Sequence, residues 1–117
     1  MKKNILKEKS YLFAISIVRL SQFLVNDKKE YVLSKQLLRS GTAIGALIRE
    51  AEFAQSKPDF IHKMSISLKE ANETLYWIDL LKDTNYISLE KHTEMIAKNK
   101  ELVAMLVSSI KTTKSRL

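Results

Sequence analysis

The side chains best suited to acid–base or ligand chemistry are two histidines, His62 and His92, and a set of charged residues set into apolar patterns: Arg39, Arg49, Glu50, Lys69, Glu70 and Glu73. A di-iron carboxylate site needs a glutamate three residues before each inward histidine; Asp59 and Leu89 stand there instead. The His-Glu-x-x-His zinc signature is absent, and no arginine precedes either histidine closely enough to form the arginine–histidine pair of some helical ribonucleases. No cysteine is present, which excludes disulfides and thiolate metal sites. No nucleophile elbow, phosphate-cradling glycine loop or dinucleotide fingerprint occurs. Both histidines read as surface or boundary residues. No catalytic residue, metal, cofactor or small-molecule substrate is expected.

Glu70 and Glu73 lie one helical turn apart, and Lys69 and Glu73 are at i, i+4 spacing. Arg39 and Arg49 come from the preceding helical pattern and can reach these carboxylates if the two helices pack side by side. Two neighbouring carboxylates could act as a general acid and base, but that use needs a pocket, a metal or a nucleophile, and none is indicated. The expectation is a structural ion-pair network of Arg39, Arg49, Glu50, Lys69, Glu70 and Glu73 that sets helix register.

The elements that position these residues are helices. Two glycines and one proline in 117 residues leave few breakers. Apolar residues recur at spacings of three and four in four segments, at about 5–26, 32–54, 58–84 and 89–112. Ser56 with Pro58 and Asp59, and Ser88 with Glu90, carry N-terminal helix signals. The fourth stripe runs through Ile96, Asn99, Val103, Leu106 and Ile110, with Leu89, Met95, Leu102 and Val107 alongside. Asn99 either fixes packing register or faces outward. Helices of this length with short links predict one all-α domain, an antiparallel up-down-up-down four-helix bundle spanning 1–117.

Gly41 and Gly45 stand four residues apart inside the second segment. Each costs a helix about 1 kcal/mol against alanine. Helical spacing resumes directly after them at Ile44, Leu47, Ile48 and Ala51. They are therefore expected to be a helix-packing device that lets another backbone come close, rather than a break.

The formal net charge of +7 is concentrated at the two ends. Residues 1–9 hold Lys2, Lys3, Lys7 and Lys9 against Glu8, and residues 111–117 hold Lys111, Lys114 and Arg116. These seven residues read either as basic arms for phosphate backbones or as solvated helix ends. No apolar run is long enough to span a membrane and no cleavable leader is evident, so a cytoplasmic protein is expected.

Four stretches carry a family resemblance: Gln36 to Ala46 (QLLRSGTAIGA) with Glu50-Ala51, Ser56-Lys57-x-Asp59-Phe60, Leu68-Lys69-Glu70-Ala71, and Glu73-Thr74-x-Tyr76-Trp77. Together they resemble the bacterial four-helix bundle proteins encoded in intervening sequences of 23S ribosomal RNA genes, also called the S23 ribosomal protein family. A more distant resemblance is to the accessory protein of diversity-generating retroelements, which binds nucleic acid and a reverse transcriptase. The resemblance implies a left-handed antiparallel four-helix bundle assembled as a homopentameric ring, with no catalytic residues and no cofactor. RNA or DNA is the partner it suggests besides the protein itself. Two functional expectations follow. One is a non-enzymatic oligomeric bundle that binds nucleic acid through its basic ends. The other is a protein–protein interaction scaffold with no nucleic-acid role, in which Leu12, Ile15, Phe23, Phe53, Phe60 and Tyr76 line the contacts.

Overall fold

The starts of the four helices are set by side chains that take up free backbone N–H groups. The computed structural model describes residues 4–117. Its helices are α1 (Ile5–Asn26), α2 (Leu33–Glu52), α3 (Lys57–Asp83) and α4 (Leu89–Lys114), and no strand occurs among the described residues. Asn4 accepts from the Lys7 N–H at 2.9 Å to start α1. Ser56 accepts from the Asp59 N–H at 3.1 Å, while the Asp59 carboxylate accepts from the Gln55 N–H at 3.1 Å. Ser88 accepts from the Lys91 N–H at 3.0 Å.

α2 starts differently. Its cap position is Val32, which has no capping side chain. Glu30 does the work from outside the helix. Its carboxylate accepts from the N–H groups of Val32, Leu33 and Ser34 at 3.2, 3.0 and 2.7 Å. Burial pushes the Glu30 pKa up, but these backbone donors outweigh it and hold it below the ordinary carboxylate value. At the same end of the molecule, α3 stops at a Schellman turn. Asn85 takes a left-handed φ of 67°, its N–H reaches the Lys82 carbonyl at 3.0 Å, and the Tyr86 N–H reaches the Leu81 carbonyl at 2.9 Å.

The contacts between neighbouring helices run in opposite residue order. Lys7 at the start of α1 meets Glu52 at the end of α2. Ser40 meets Thr74, and Ser67 meets the Ile44 carbonyl, between α2 and α3. Asp79 meets His92, and Lys57 meets the Arg116 carbonyl, between α3 and the α4 end of the chain. α1 and α4 are the least closely joined of the neighbouring pairs.

The core is filled by Phe13, Ile17 and Leu24 of α1, Leu37 and Ile44 of α2, Ile78 and Leu81 of α3, and Met95, Leu102 and Leu106 of α4. In α1 Leu6, Ser10, Phe13, Ile17, Leu20 and Leu24, which follow each other at spacings of three and four, form the buried line. In α4 the buried line differs from the expected stripe. Met95, Asn99, Leu102, Leu106 and Ile110 are buried, Ile96 and Val103 are half-buried, and Leu89 and Val107 are exposed. A helix with apolar residues on neighbouring rows leaves its orientation to packing, and α4 turns Met95 and Leu102 inward. Asn99 is fully buried, and neither atom of its amide has a hydrogen-bond partner among the described residues.

Both glycines face α1. A Cβ on Gly41 would lie 2.7 Å from Ile17 Cγ1 and 2.8 Å from Ile17 Cγ2. A Cβ on Gly45 would lie 3.3 Å from the Ser10 carbonyl oxygen. Ile17 is fully buried and β-branched, so its side chain has little freedom to move away. Ser10 meets Gly45 through its backbone.

Two outcomes are expected. Gly41→Ala gains about 1 kcal/mol of helix propensity but meets overpacking of about 1–3 kcal/mol. Urea denaturation should therefore show a net loss, whereas Gly45→Ala stays within about 1 kcal/mol of the parent. A stabilised Gly41→Ala variant would contradict the contact with Ile17. Glu30→Ala should cost about 1–2 kcal/mol. Because the folded-state pKa of Glu30 is lowered, its contribution is present above the unfolded carboxylate pKa and is lost as pH falls through the folded value. The gap between parent and Glu30→Ala should close at acid pH, and a gap unchanged with pH would count against the cap.

Candidate nucleic-acid interface

Asn4 and Leu6 at the start of α1 line the same surface cleft as Ser108 and Ser109 near the end of α4, so the described basic residues of the two chain ends come together at one end of the molecule. Lys57 at the start of α3 joins them, its Nζ donating to the Arg116 carbonyl at 2.8 Å. Lys111, Lys114 and Arg116 are exposed, and both lysines lie in the last turn of α4, where the helix dipole favours cations. Lys7 and Lys9 are more engaged. Lys7 pairs with Glu52 at 2.9 Å and Lys9 with Glu101 at 3.0 Å. Lys2 and Lys3 lie outside the described residues. Residues 7–9, 49–63 and 101–117 together supply eight basic and five acidic side chains, so this end remains net positive after its internal pairs are made.

The ion-pair set divides into separate contacts. Arg39 reaches across from α2 to α3, with one guanidinium nitrogen 3.2 Å from Glu70 Oε2 and the other on Glu73 Oε2. The Trp77 indole N–H donates to the same Glu73 oxygen at 3.0 Å. The Trp77 hydrogen bond, with Arg39 adding to it against partial burial, holds the Glu73 carboxyl below its ordinary value. Lys69 is exposed and acts on Glu73 only through its charge. Arg49 and Glu50 do not join this group. The Arg49 guanidinium lies over the Tyr11 ring, 5.1 Å from its centroid, and ties α2 to α1. Glu50 lies 3.8 Å from Lys63 of α3.

The histidines sit apart from each other. His92 Nε2 is 2.8 Å from Asp79 Oδ1, and His62 is exposed. No group of three or more His, Asp or Glu residues able to hold a metal occurs among the described residues. Among the described residues no helix is long and apolar enough to cross a membrane.

Several of these partners are not signalled in the sequence. Glu30 lies in a polar link and caps from two residues before the α2 cap position. Its only signal is an acid just ahead of an apolar-periodic run. The Trp77–Glu73 and Asp79–His92 contacts depend on rotamer and helix rotation, which spacing alone leaves open.

A sequence model of the 23S rRNA-intervening sequence protein family matches residues 2–108. The crystal structure of a protein of unknown function from the S23 ribosomal protein family of Bacteroides thetaiotaomicron VPI-5482 is 56% identical to this chain. It superposes with a TM-score of 0.92, and the match covers 95% of this chain and 99% of that one. No curated protein matches. Lys111, Lys114 and Arg116 lie beyond the family-matched segment.

Trp77→Phe keeps the aromatic body and removes the donor to Glu73. Carboxylate titration by NMR should then show the Glu73 pKa moving up towards its ordinary value. The stability lost on acidification should be smaller than in the parent, because a lowered carboxylate pKa contributes stability that is lost only between the unfolded and the folded value, and that interval narrows when Trp77 no longer donates. An unmoved Glu73 titration would mean that Trp77 does not contribute.

Proposed function

The chain belongs to the 23S rRNA-intervening sequence protein family, and on that premise we propose a non-enzymatic, oligomeric protein that binds RNA or DNA through its basic terminal end. The observation that carries the proposal is the meeting of Lys7, Lys9, Lys111, Lys114 and Arg116 at one end of the molecule. Cations clustered on one end create a field that draws in a polyanion, and each phosphate contact releases condensed counterions. Lys111, Lys114 and Arg116 carry most of the free charge, because Lys7 and Lys9 already hold carboxylates.

The assembly we propose is an antiparallel up-down-up-down four-helix bundle repeated in a closed ring, a homopentamer as in the family resemblance. The opposed residue order of the Lys7–Glu52, Ser40–Thr74 and Asp79–His92 contacts supports the topology. Ring symmetry would place the basic end of each subunit on a common rim and multiply its charge. Arg39, Glu70 and Glu73 hold α2 to α3 in this proposal and do no chemistry. A cytoplasmic setting accords with a sequence free of cysteine.

Fluorescence anisotropy with a labelled 23S rRNA fragment and with duplex DNA tests the binding. Affinity should fall steeply between about 50 and 200 mM salt. Lys111→Ala with Lys114→Ala should weaken binding to all sequences and reduce the salt slope by about one per lysine. No binding at low salt, or an unchanged slope in the variant, would remove the nucleic-acid role. Sedimentation should give five times the 13.5 kDa protomer mass; a protomer-sized species at micromolar concentration would remove the ring.

A further inference from the structure

The seam between α1 and α4 is the least closed of the helix contacts, and two surface grooves lie along it. One, towards the terminal end, is lined by Lys9, Leu12, Ile15, Lys98 and Leu102. The other, towards the interhelix turns, is lined by Phe23, Lys28, Lys82, Tyr86, Leu89 and Lys91. Large apolar side chains stand open on it: Leu12 is 61% exposed, Leu89 66% and Phe23 39%. Clustered exposed apolar residues rimmed by charge mark an interaction surface.

The rim is basic. Lys9, Lys28, Lys82, Lys91 and Lys98 border the two grooves. Lys91 and Lys98 share the single carboxylate of Glu94, Lys9 takes Glu101, and Lys82 takes Asp83. The Lys28 ammonium lies 5.8 Å from the Phe23 ring centroid and makes no ion pair among the described residues. Five lysines thus face three acids, and the occupant that complements them is acidic.

We infer that the α1–α4 seam docks an acidic amphipathic helix of another protein. Its apolar side chains enter between Leu12, Phe23 and Leu89, and its carboxylates face Lys28, Lys91 and Lys98. This is the helix-in-groove mode of recognition. From Lys9 to Phe23 the seam follows α1 for about 21 Å, the length of a helix of about 14 residues. A nucleic-acid strand fits the seam less well. The terminal-side groove presents Leu12 and Ile15 while its one ring, Phe13, is buried, and the Phe23 ring of the other groove is already faced by Lys28. A second copy meeting this seam through its own seam would set the same lysines against each other.

The probe is a fluorescein-labelled peptide of about 15 residues with leucines at helical spacing and glutamates elsewhere, paired with its lysine-for-glutamate counterpart. Against the full-length protein, the acidic peptide should bind and the basic one should not. Leu12→Glu with Phe23→Glu should lower the affinity by about tenfold or more. Lys28→Glu with Lys91→Glu should lower it chiefly at low salt. The altered side chains are exposed or at the rim, and thermal unfolding reports whether each variant stays folded. Amide NMR shifts on peptide binding should fall on α1 and α4. Equal peptide binding by the parent and both variants would overturn the inference. Displacement of the peptide by oligodeoxythymidylate through the same lysines would assign the seam to nucleic acid instead. A drop in sedimentation mass of Leu12→Glu with Phe23→Glu would make it a contact between copies.

Discussion

The close approach of α1 and α2 is the constraint on which the rest of the structure depends. At Gly41 the Ile17 side chain occupies the space of a Cβ, and at Gly45 the Ser10 backbone comes nearly as close. Two glycines weaken a soluble helix by about 2 kcal/mol in total, so their position implies a return from packing. Ile17, fully buried, supplies it. With α1 seated, α2 offers its next face to α3 through small polar groups. Thr74 donates to Ser40 at 2.9 Å and Ser67 donates to the Ile44 carbonyl at 2.9 Å. α2 is thus held on one side by close apolar contact and on the other by satisfied buried hydroxyls. Glu30 fixes its start and the Lys7–Glu52 pair ties its end.

α4 has no comparable hold on α1. It is tied to α3 by Asp79–His92 at one end and by Lys57 and the chain end at the other. It carries a buried Asn99 amide without a partner among the described residues. A buried, unpaired amide costs stability, so packing around Asn99 contributes less than an apolar residue of the same size would. α4 is nevertheless joined to α3 about as closely as α1 is to α2, so the α1–α4 seam is the one place where the circuit of helix contacts stays open. The charge follows the same contact order, with the described basic residues of both chain ends at one pole and Glu52, Glu70, Glu73 and Asp79 facing partners on neighbouring helices.

The four helices and the caps at Ser56 and Ser88 were legible because each rests on local chemistry: spacing of apolar residues and a hydroxyl three residues before a free N–H. The α1 stripe was legible because Leu6, Ser10, Phe13, Ile17, Leu20 and Leu24 keep helical spacing along the whole helix. The α4 face was not, since Ile96 and Val103 compete with Met95 and Leu102 for the core and only packing against α3 and α1 chooses between them. The charged residues near α2 and α3 were legible as interhelical partners but not as separate ones. Arg49 turns to Tyr11 because it lies on the α1 side of α2, a rotation that spacing leaves undetermined. Glu30 escaped because a carboxylate reaching forward from a loop has no fixed sequence spacing. The basic chain ends were visible as charge, yet their meeting at one pole required the fold.

The measurement that bears most directly on the central constraint is a double-mutant cycle between Gly41 and Ile17. Gly41→Ala adds the Cβ that Ile17 obstructs, and Ile17→Ala removes the Cγ1, Cγ2 and Cδ1 atoms that obstruct it. If the helices are held at the distance these side chains set, the pair should couple. The double variant should then be more stable than the sum of the single changes by about 0.5–3 kcal/mol. Strict additivity would contradict the account, because it would mean that Ile17 yields freely and that the glycine at position 41 does not govern how closely α1 approaches α2.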